Sequence, residues 1–319
     1  GVYMTARLLP LFSPDALRVV AYTGAITAIF AATIAIVQTD IKRGLAYSTL
    51  SQLGYMVMAV GVGSATAGMF HLTTHAMFKA CLFLGSGAVI HAMHHQQDMR
   101  FMGGLRHKMP ITAAAMIIST IAISGVPPFS GFWSKDAVLA AALAFGMEHP
   151  AHYAPFVMAL IAAVITGFYM FRIVFMTFFG KPRDQEAHDH AHEVGWRMAT
   201  PLVVLGFLAI VSGGLPGMGT GWFERFVGEP HVEVVADAHA IEADHGGGMV
   251  ADEHAADPHG EESLVGDTSS ADTHGADAHA ADDAHGDGHH DVHHIAHERA
   301  MIMSLFAAGL GILLSWLFY

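Results

Sequence analysis

The chain has 319 residues and a mass of 34.0 kDa, is 53% hydrophobic and only 13% charged, and has a mean hydropathy of +0.43. Soluble domains carry about 25% charged residues, so this composition describes a polytopic membrane protein. Residues 1–223 carry 13 Lys/Arg against 9 Asp/Glu, whereas residues 224–298 carry 1 against 19. The net charge of −13 therefore lives in one segment, and a basic nucleic-acid binder is excluded.

A single cysteine, Cys81, excludes an internal disulfide, an iron–sulfur cluster and CxxC chemistry. No glycine-rich nucleotide fingerprint follows a strand pattern, so neither nicotinamide nor ATP is expected to bind this chain. The sequence opens at Gly1, with its first methionine at Met4, and an apolar run begins at once. No charged region or small-residue cleavage site precedes that run, which argues against a signal peptide. The expectation is a fragment that opens partway through a larger membrane protein.

A spanning helix needs about 20 mostly apolar residues. In chain order, residues 1–12 read as the tail of a helix closed by Pro10 and Ser13-Pro14. Spans are predicted at 16–38, 44–63, 66–93, 110–146, 154–179, 199–215 and 300–319, the first stopped by Thr39-Asp40 and Lys42-Arg43. The unit 110–146 is interrupted at Gly125-Val126-Pro127-Pro128. The predicted fold is an all-α polytopic bundle of about seven full spans plus a stub, with a helix broken at Pro127-Pro128. Its divisions are a membrane domain 1–223, a His/Asp-rich loop 224–298 and a final span 299–319.

Loop charge predicts orientation. Loops following the spans that end near 39, 93 and 179 hold Lys42, Arg43, Arg100, Arg106, Lys108, Lys181, Arg183 and Arg197, against only Arg7, Arg18 and Arg225 in the alternate loops. The first group is expected to be cytoplasmic, which puts loop 216–299 on the periplasmic side of a bacterial inner membrane. In that loop Ala-Asp-x-His recurs at 236–239, 251–254, 271–274 and 276–279, and 13 of the 24 histidines lie between His231 and His297. Such a composition cannot offset its chain entropy by burial, so disorder is expected. Histidine-rich tracts can take up transition metals, but the irregular spacing here argues for a solvated linker and no metal site.

The informative residues are the ionisable ones inside apolar spans. His71, His75 and Lys79 recur at i, i+4 and i+8, which puts them on one helical face at about 6 Å intervals of rise. A lysine near mid-span costs about 2.5–3.5 kcal/mol on insertion scales, so it must face a protein-lined or hydrated interior. Histidine titrates near neutrality, and the three groups together read as a proton relay. The competing reading is two histidines bonded to neighbouring helices and a lysine snorkelling to an interface. For three titratable groups on one stripe the relay is preferred.

The second constellation runs from Gly125 through Pro127-Pro128 to Lys135 and Asp136. Two prolines break a helix, and a break inside a membrane survives only where protein or a water-filled cavity surrounds it. The exposed half-helix ends can engage ions, so Lys135-Asp136 reads as a titratable pair at the end of a proton path. The bland alternative is the interfacial start of a new helix. Asp40, Lys42 and Arg43 sit at a helix boundary, where anchoring is the default. Ser48, Thr49, Ser51, Gln52 and Tyr55 either order water beside the relay or bond helix to helix. Arg172 reads as a snorkelling residue.

Three runs carry a resemblance: Thr39 to Met56, His71 to Phe83, and Gly125 to Asp136. They resemble signatures of the antiporter-like membrane subunits of NADH–quinone oxidoreductase, respiratory complex I. The resemblance covers about 1–215, and 300–319 is similar to a late span of that family. It implies a proton-pumping subunit in which Lys79 is the central lysine, His71 and His75 bridge, and Lys135 with Asp136 exchanges protons with the far side. It also implies that NADH, FMN, iron–sulfur clusters and quinone belong to partner subunits, that the partners are other membrane-arm subunits and lipid, and that this chain carries no cofactor, metal or nucleic acid. Against the family pattern, the first half, with its paired glutamate and lysine, and a C-terminal lateral helix are absent, so this chain alone is not expected to pump. Subunits of Mrp-type cation/proton antiporters and membrane-bound hydrogenases share the motifs and stand as alternatives. A purely structural membrane scaffold is a further one.

Overall fold

A computed structural model describes residues 1–214, Phe223, Arg225 and 283–319. The helices below, apart from the start of the last one, belong to one compact unit, residues 1–229 and 289–319. Of the second unit, 230–288, only the opening turns of the last helix are described. The elements are α1 (Val2–Arg7), α2 (Pro14–Val37), α3 (Ile41–Gly61), α4 (Ala65–Ala92), α5 (Pro110–Ser124), α6 (Ser130–Glu148), α7 (Ala154–Phe178), α8 (Gln185–His190), α9 (Trp196–Val211) and α10 (Asp283–Phe318). No strand occurs among the described residues. An isolated bridge pairs Asp40 with Asp98.

Among the described residues, four segments are long and apolar enough to cross a membrane: Pro14–Val37, Ala65–Ala92, Pro150–Phe178 and His294–Phe318. The predicted spans at 44–63 and 199–215 correspond to α3, which is more polar, and α9, which is 16 residues long. The long unit 110–146 is two helices, α5 and α6, separated at the double proline, whose Pro127–Pro128 bond is cis. Two boundaries differ from expectation. Lys42 and Arg43 lie inside the first turn of α3 and not in a loop, because Asp40 caps that helix by accepting from the Arg43 N–H at 3.0 Å. The last helix begins at Asp283, before the expected 299, so the tail of the His/Asp-rich segment is helical. The Ala-Asp-x-His repeats and the metal question attached to them lie outside the described residues.

Polarity is distributed as a membrane requires. Large apolar side chains face outward from α2 (Ile26, Phe30) and α10 (Phe306, Trp316), while Gln52, His71, His75, Lys79, Lys135 and Asp136 are buried. With lipid outside, packing depends on close approach of small residues. Helix α2 presents Ala21, Ala25, Ala28, Ala32 and Ala35 at helical spacing, and α3 answers with Gly54 and Gly61. At the crossing a methyl group on Gly24 would meet the Gly54 carbonyl oxygen at 2.7 Å, and one on Gly54 would meet that of Gly24 at the same distance.

The loops at one end are cross-tied. Ile41 N–H donates to the Gln97 carbonyl and Met99 N–H to that of Thr39, while Asp184 N–H donates to Phe101. Asp98, partly buried in this loop region, accepts from Arg100, whose guanidinium holds the carboxyl below its usual range. Glu193 reaches from the segment before α9 to the start of α5. It accepts from the N–H groups of Ile111 and Thr112 at 2.7 and 3.2 Å and from the Thr112 hydroxyl at 2.6 Å. Those N–H groups have no partner inside α5, so the carboxylate acts as a remote N-cap.

Arg172 departs from the snorkelling expectation. It is 6% exposed, and its Nη1 donates to the carbonyls of Ile36 (2.7 Å) and Gln38 (2.6 Å) where α2 ends. Its Nε donates to the Tyr319 hydroxyl at 2.9 Å. The carbonyls left open at a helix C-terminus draw the guanidinium inward.

Candidate functional site

The site is built from five helices. On α4, the 3.6-residue repeat brings His71, His75 and Lys79 to one buried face over about 12 Å of rise. Helix α3 supplies Gln52 and Tyr55, the broken unit supplies Ile123, Ser134, Lys135 and Asp136, and α10 supplies His297.

His71 is the junction. Its Nε2 lies 2.9 Å from Gln52 Oε1 on α3, and its Nδ1 lies 2.9 Å from Ser134 Oγ on α6. Ser134 Oγ is also 2.7 Å from Thr74 Oγ1, whose hydroxyl can turn to the His71 carbonyl at 3.2 Å. His71 Nδ1, Ser134 and Thr74 can each reverse polarity, while Gln52 Oε1 accepts throughout. With His71 neutral, Nε2–H donates to Gln52, Ser134 donates to Nδ1 and Thr74 donates to Ser134. With His71 protonated, Nδ1–H donates to Ser134, which donates on to Thr74, and Thr74 donates to the carbonyl. The His75 ring follows at 6.1 Å between centroids, and its Nε2 is buried with no hydrogen-bond partner.

The two lysines end on main-chain carbonyls. Lys79 Nζ donates to Leu45 O on α3 at 3.1 Å, and Lys135 Nζ donates to Ile123 O at 2.8 Å. Ile123 lies in the last turn of α5, where carbonyls lack helical partners and carry the negative end of the helix dipole. The break creates this acceptor. Gly125 takes a left-handed φ of +81° that a residue with a side chain rarely adopts, and the chain returns through Pro127-Pro128 so that α6 brings Lys135 back alongside α5. Lys135 Nζ also lies 5.6 Å from the Tyr55 ring centroid. Among the described residues neither ammonium has a carboxylate partner.

Asp136 faces a different way. Its Oδ2 is 3.2 Å from His297 Nε2 on α10, and its Oδ1 is buried without a partner. The structure thus gathers His71, His75, Lys79, Lys135 and Asp136 into one buried region, and leaves Asp40 and Lys42 at the start of α3, Asp40 as a cap and Lys42 exposed. The polar residues of α3 divide. Ser51 donates to Ala28 O, Ser48 accepts from Tyr169, Thr49 donates to Leu45 O and Tyr55 donates to Ala159 O, so of these Gln52 is the one that hydrogen-bonds a histidine, while the Tyr55 ring lies 6.4 Å from that of His71. Sequence reasoning missed Ser134, which lies one residue before Lys135 within a recognised motif, and His297, which sits in histidine-rich composition. Among the described residues no cluster of three or more His, Cys, Asp or Glu could hold a metal ion.

The described residues form a helical bundle with a broken helix and buried lysines held on main-chain carbonyls, the build of a polytopic membrane subunit. Residues 1–166 match the family described as NADH:quinone oxidoreductase/Mrp antiporter, TM, and the chain belongs to that family. Among curated relatives, NAD(P)H-quinone oxidoreductase chain 5 of a Picosynechococcus species is 46% identical over 274 residues, 76% of this chain and 40% of that protein. NADH-quinone oxidoreductase subunit L of Rhodobacter capsulatus is 48% identical over 243 residues, 72% of this chain and 33% of that protein. The chain therefore spans 40% or less of the length of these two relatives. Among solved structures, a chain of the Mrp complex of a Dietzia species shares the fold at a TM-score of 0.59 and 24% identity, covering 66% of this chain and 47% of that one. A chain of an archaeal membrane-bound sulfane sulfur reductase aligns at a TM-score of 0.58 and 28% identity, covering 64% of this chain and 33% of that one.

Proposed function

We propose that this chain is the proton-translocating part of a membrane-arm subunit of NADH:quinone oxidoreductase, in a bacterial inner membrane among other membrane-arm subunits. Redox chemistry at NADH, FMN, iron–sulfur clusters and quinone belongs to partner chains, and this chain moves protons between Lys79 and Lys135 through His75 and His71. The observation that carries the reading is His71, held between Gln52 and Ser134 in a network of reversible polarity, with a carbonyl-bound lysine on either side. A proton leaving the Lys79 ammonium passes to a histidine ring nitrogen. On His71 the proton is taken up and lost at Nδ1, the ring nitrogen on the Ser134 side, and its loss returns the imidazole to the neutral form with Nε2–H on Gln52. The relatives named as quinone oxidoreductase subunits favour this reading over a Mrp-type cation/proton antiporter.

The test is Lys79→Met in the full-length protein within its assembled complex. NADH oxidation and NADH-driven proton uptake are measured in inverted vesicles, with assembly followed by immunoblot. Methionine keeps the length and volume of the stem but carries no proton, so both rates fall by about tenfold or more. Normal proton uptake in a fully assembled complex would refute the reading and turn the assay to sodium-dependent proton exchange.

A further inference from the structure

The buried row described above has one described contact with a half-exposed titratable side chain. His297 on α10 is 47% exposed at its side chain, while its partner Asp136 is 3% exposed, and the two meet at 3.2 Å between Nε2 and Oδ2. The remaining Asp136 oxygen, Oδ1, is buried and unpartnered. Successive residues on a helix point about 100° apart, so while Lys135 turns inward to Ile123 and Tyr55, Asp136 turns outward to α10. The neighbouring ionisable groups on α10, namely His294, Glu298 and Arg299, are exposed. From the helix packed against it, the group facing His297 is Asp136, which follows Lys135 directly in the chain.

We propose that His297 is the group through which the buried Lys135–Asp136 end of the row exchanges protons with the surface. In the outward step the Asp136 Oδ2–H bond breaks as an Nε2–H bond forms on neutral His297, leaving a carboxylate and an imidazolium. The imidazolium then releases its Nδ1 proton to water, and the reverse sequence reloads Asp136. The step needs no redox partner. A half-exposed imidazole suits it, because it touches solvent and the buried carboxyl at once and can bind a proton at one ring nitrogen while releasing one from the other. This inference rests on the relay reading above.

The bland alternative is that His297 only ties α10 to α6 by a hydrogen bond. Two variants of the full-length protein in its complex separate the possibilities. His297→Gln keeps an N–H donor for Asp136 but cannot carry a proton, and His297→Ala opens a space that added imidazole can enter. The expected result is that proton uptake falls about tenfold or more in both variants with assembly unchanged, and that millimolar imidazole restores His297→Ala severalfold while leaving wild type unaffected. Normal uptake in His297→Gln would overturn the proposal in favour of a brace, as would a loss in His297→Ala that imidazole does not relieve. Should His297→Ala fail to assemble, His297→Gln decides alone. Lys135→Met in parallel separates the two levels. If it stops uptake while both His297 variants pump normally, the relay stands and the exit falls. If it pumps normally, the relay itself falls.

Discussion

Ser134 has more to do than its size implies. One hydroxyl serves His71 Nδ1 and Thr74 Oγ1 in the interior of the bundle, and its residue precedes the lysine that caps the broken helix. Replacing it with alanine strands His71 Nδ1 where water is scarce, while Thr74 keeps the His71 carbonyl, and one such orphan costs about 1–3 kcal/mol. Ser134→Ala is therefore expected to lower the thermal stability of the purified complex and to slow proton uptake more than NADH oxidation at limiting quinone. Ser134→Thr, which keeps the hydroxyl, should preserve both within about twofold. An unchanged proton uptake in Ser134→Ala would separate His71 Nδ1 from the path. At this scale the sequence was partly readable. The i, i+4, i+8 spacing on α4 exposes His71, His75 and Lys79 without any structure, because helical periodicity is local. The partners are not local: Leu45 O, Gln52 and Ile123 O lie 34, 19 and 12 residues from the side chains they serve.

At the scale of elements, the half-helix α5 is held at both ends by side chains from elsewhere. Glu193 takes its N-terminal N–H groups, and Lys135 takes a carbonyl in its last turn. The helix is 15 residues long, and its C-terminal acceptor for Lys135 is placed only as well as its N-terminus is anchored. Glu193→Ala is expected to destabilise the bundle by about 1 kcal/mol, the usual worth of a lost N-cap, seen as an earlier melting transition in detergent. Glu193→Gln, which retains an acceptor but loses the charge on the helix dipole, should recover part of that loss. A melting temperature unchanged in Glu193→Ala would remove the brace. Pro127-Pro128 advertises the break in the sequence, since two missing donors in an apolar run have few uses. Nothing near Glu193 advertises the brace, because a glutamate in a polar loop looks like any other.

Over the whole molecule, Arg172 joins three helices that are far apart in the chain. From α7 it reaches the carbonyls at the C-terminal end of α2 and the hydroxyl of Tyr319, the residue that follows α10. Hydropathy reads an arginine near a helix end as reaching for water. Here the acceptors are other helix ends, which a single-sequence pattern cannot place. Hydrogen bonds to charged groups contribute about 1.5–3 kcal/mol, so Arg172→Leu should cost several kcal/mol and reduce the assembled protein seen on a native gel. Arg172→Lys, a point charge without the planar fork, should keep only part of the network and fall between the two. Equal stability of Arg172→Leu and wild type would assign these contacts no weight. His297 belongs to this scale as well. Its meaning appears only when α10 is laid against α6, and its setting in histidine-rich sequence hides it from any composition argument.

The glycine crossing of α2 and α3 bears on movement. Backbones in contact at 2.7 Å from even an imagined methyl group leave no room for one helix to roll over the other. Helix α3 is thereby clamped, and with it Leu45 and Gln52, the fixed ends of the contacts made by Lys79 and His71. The two halves of the site thus differ in build: α2 and α3 lie backbone against backbone, whereas the other half is a helix interrupted at Gly125.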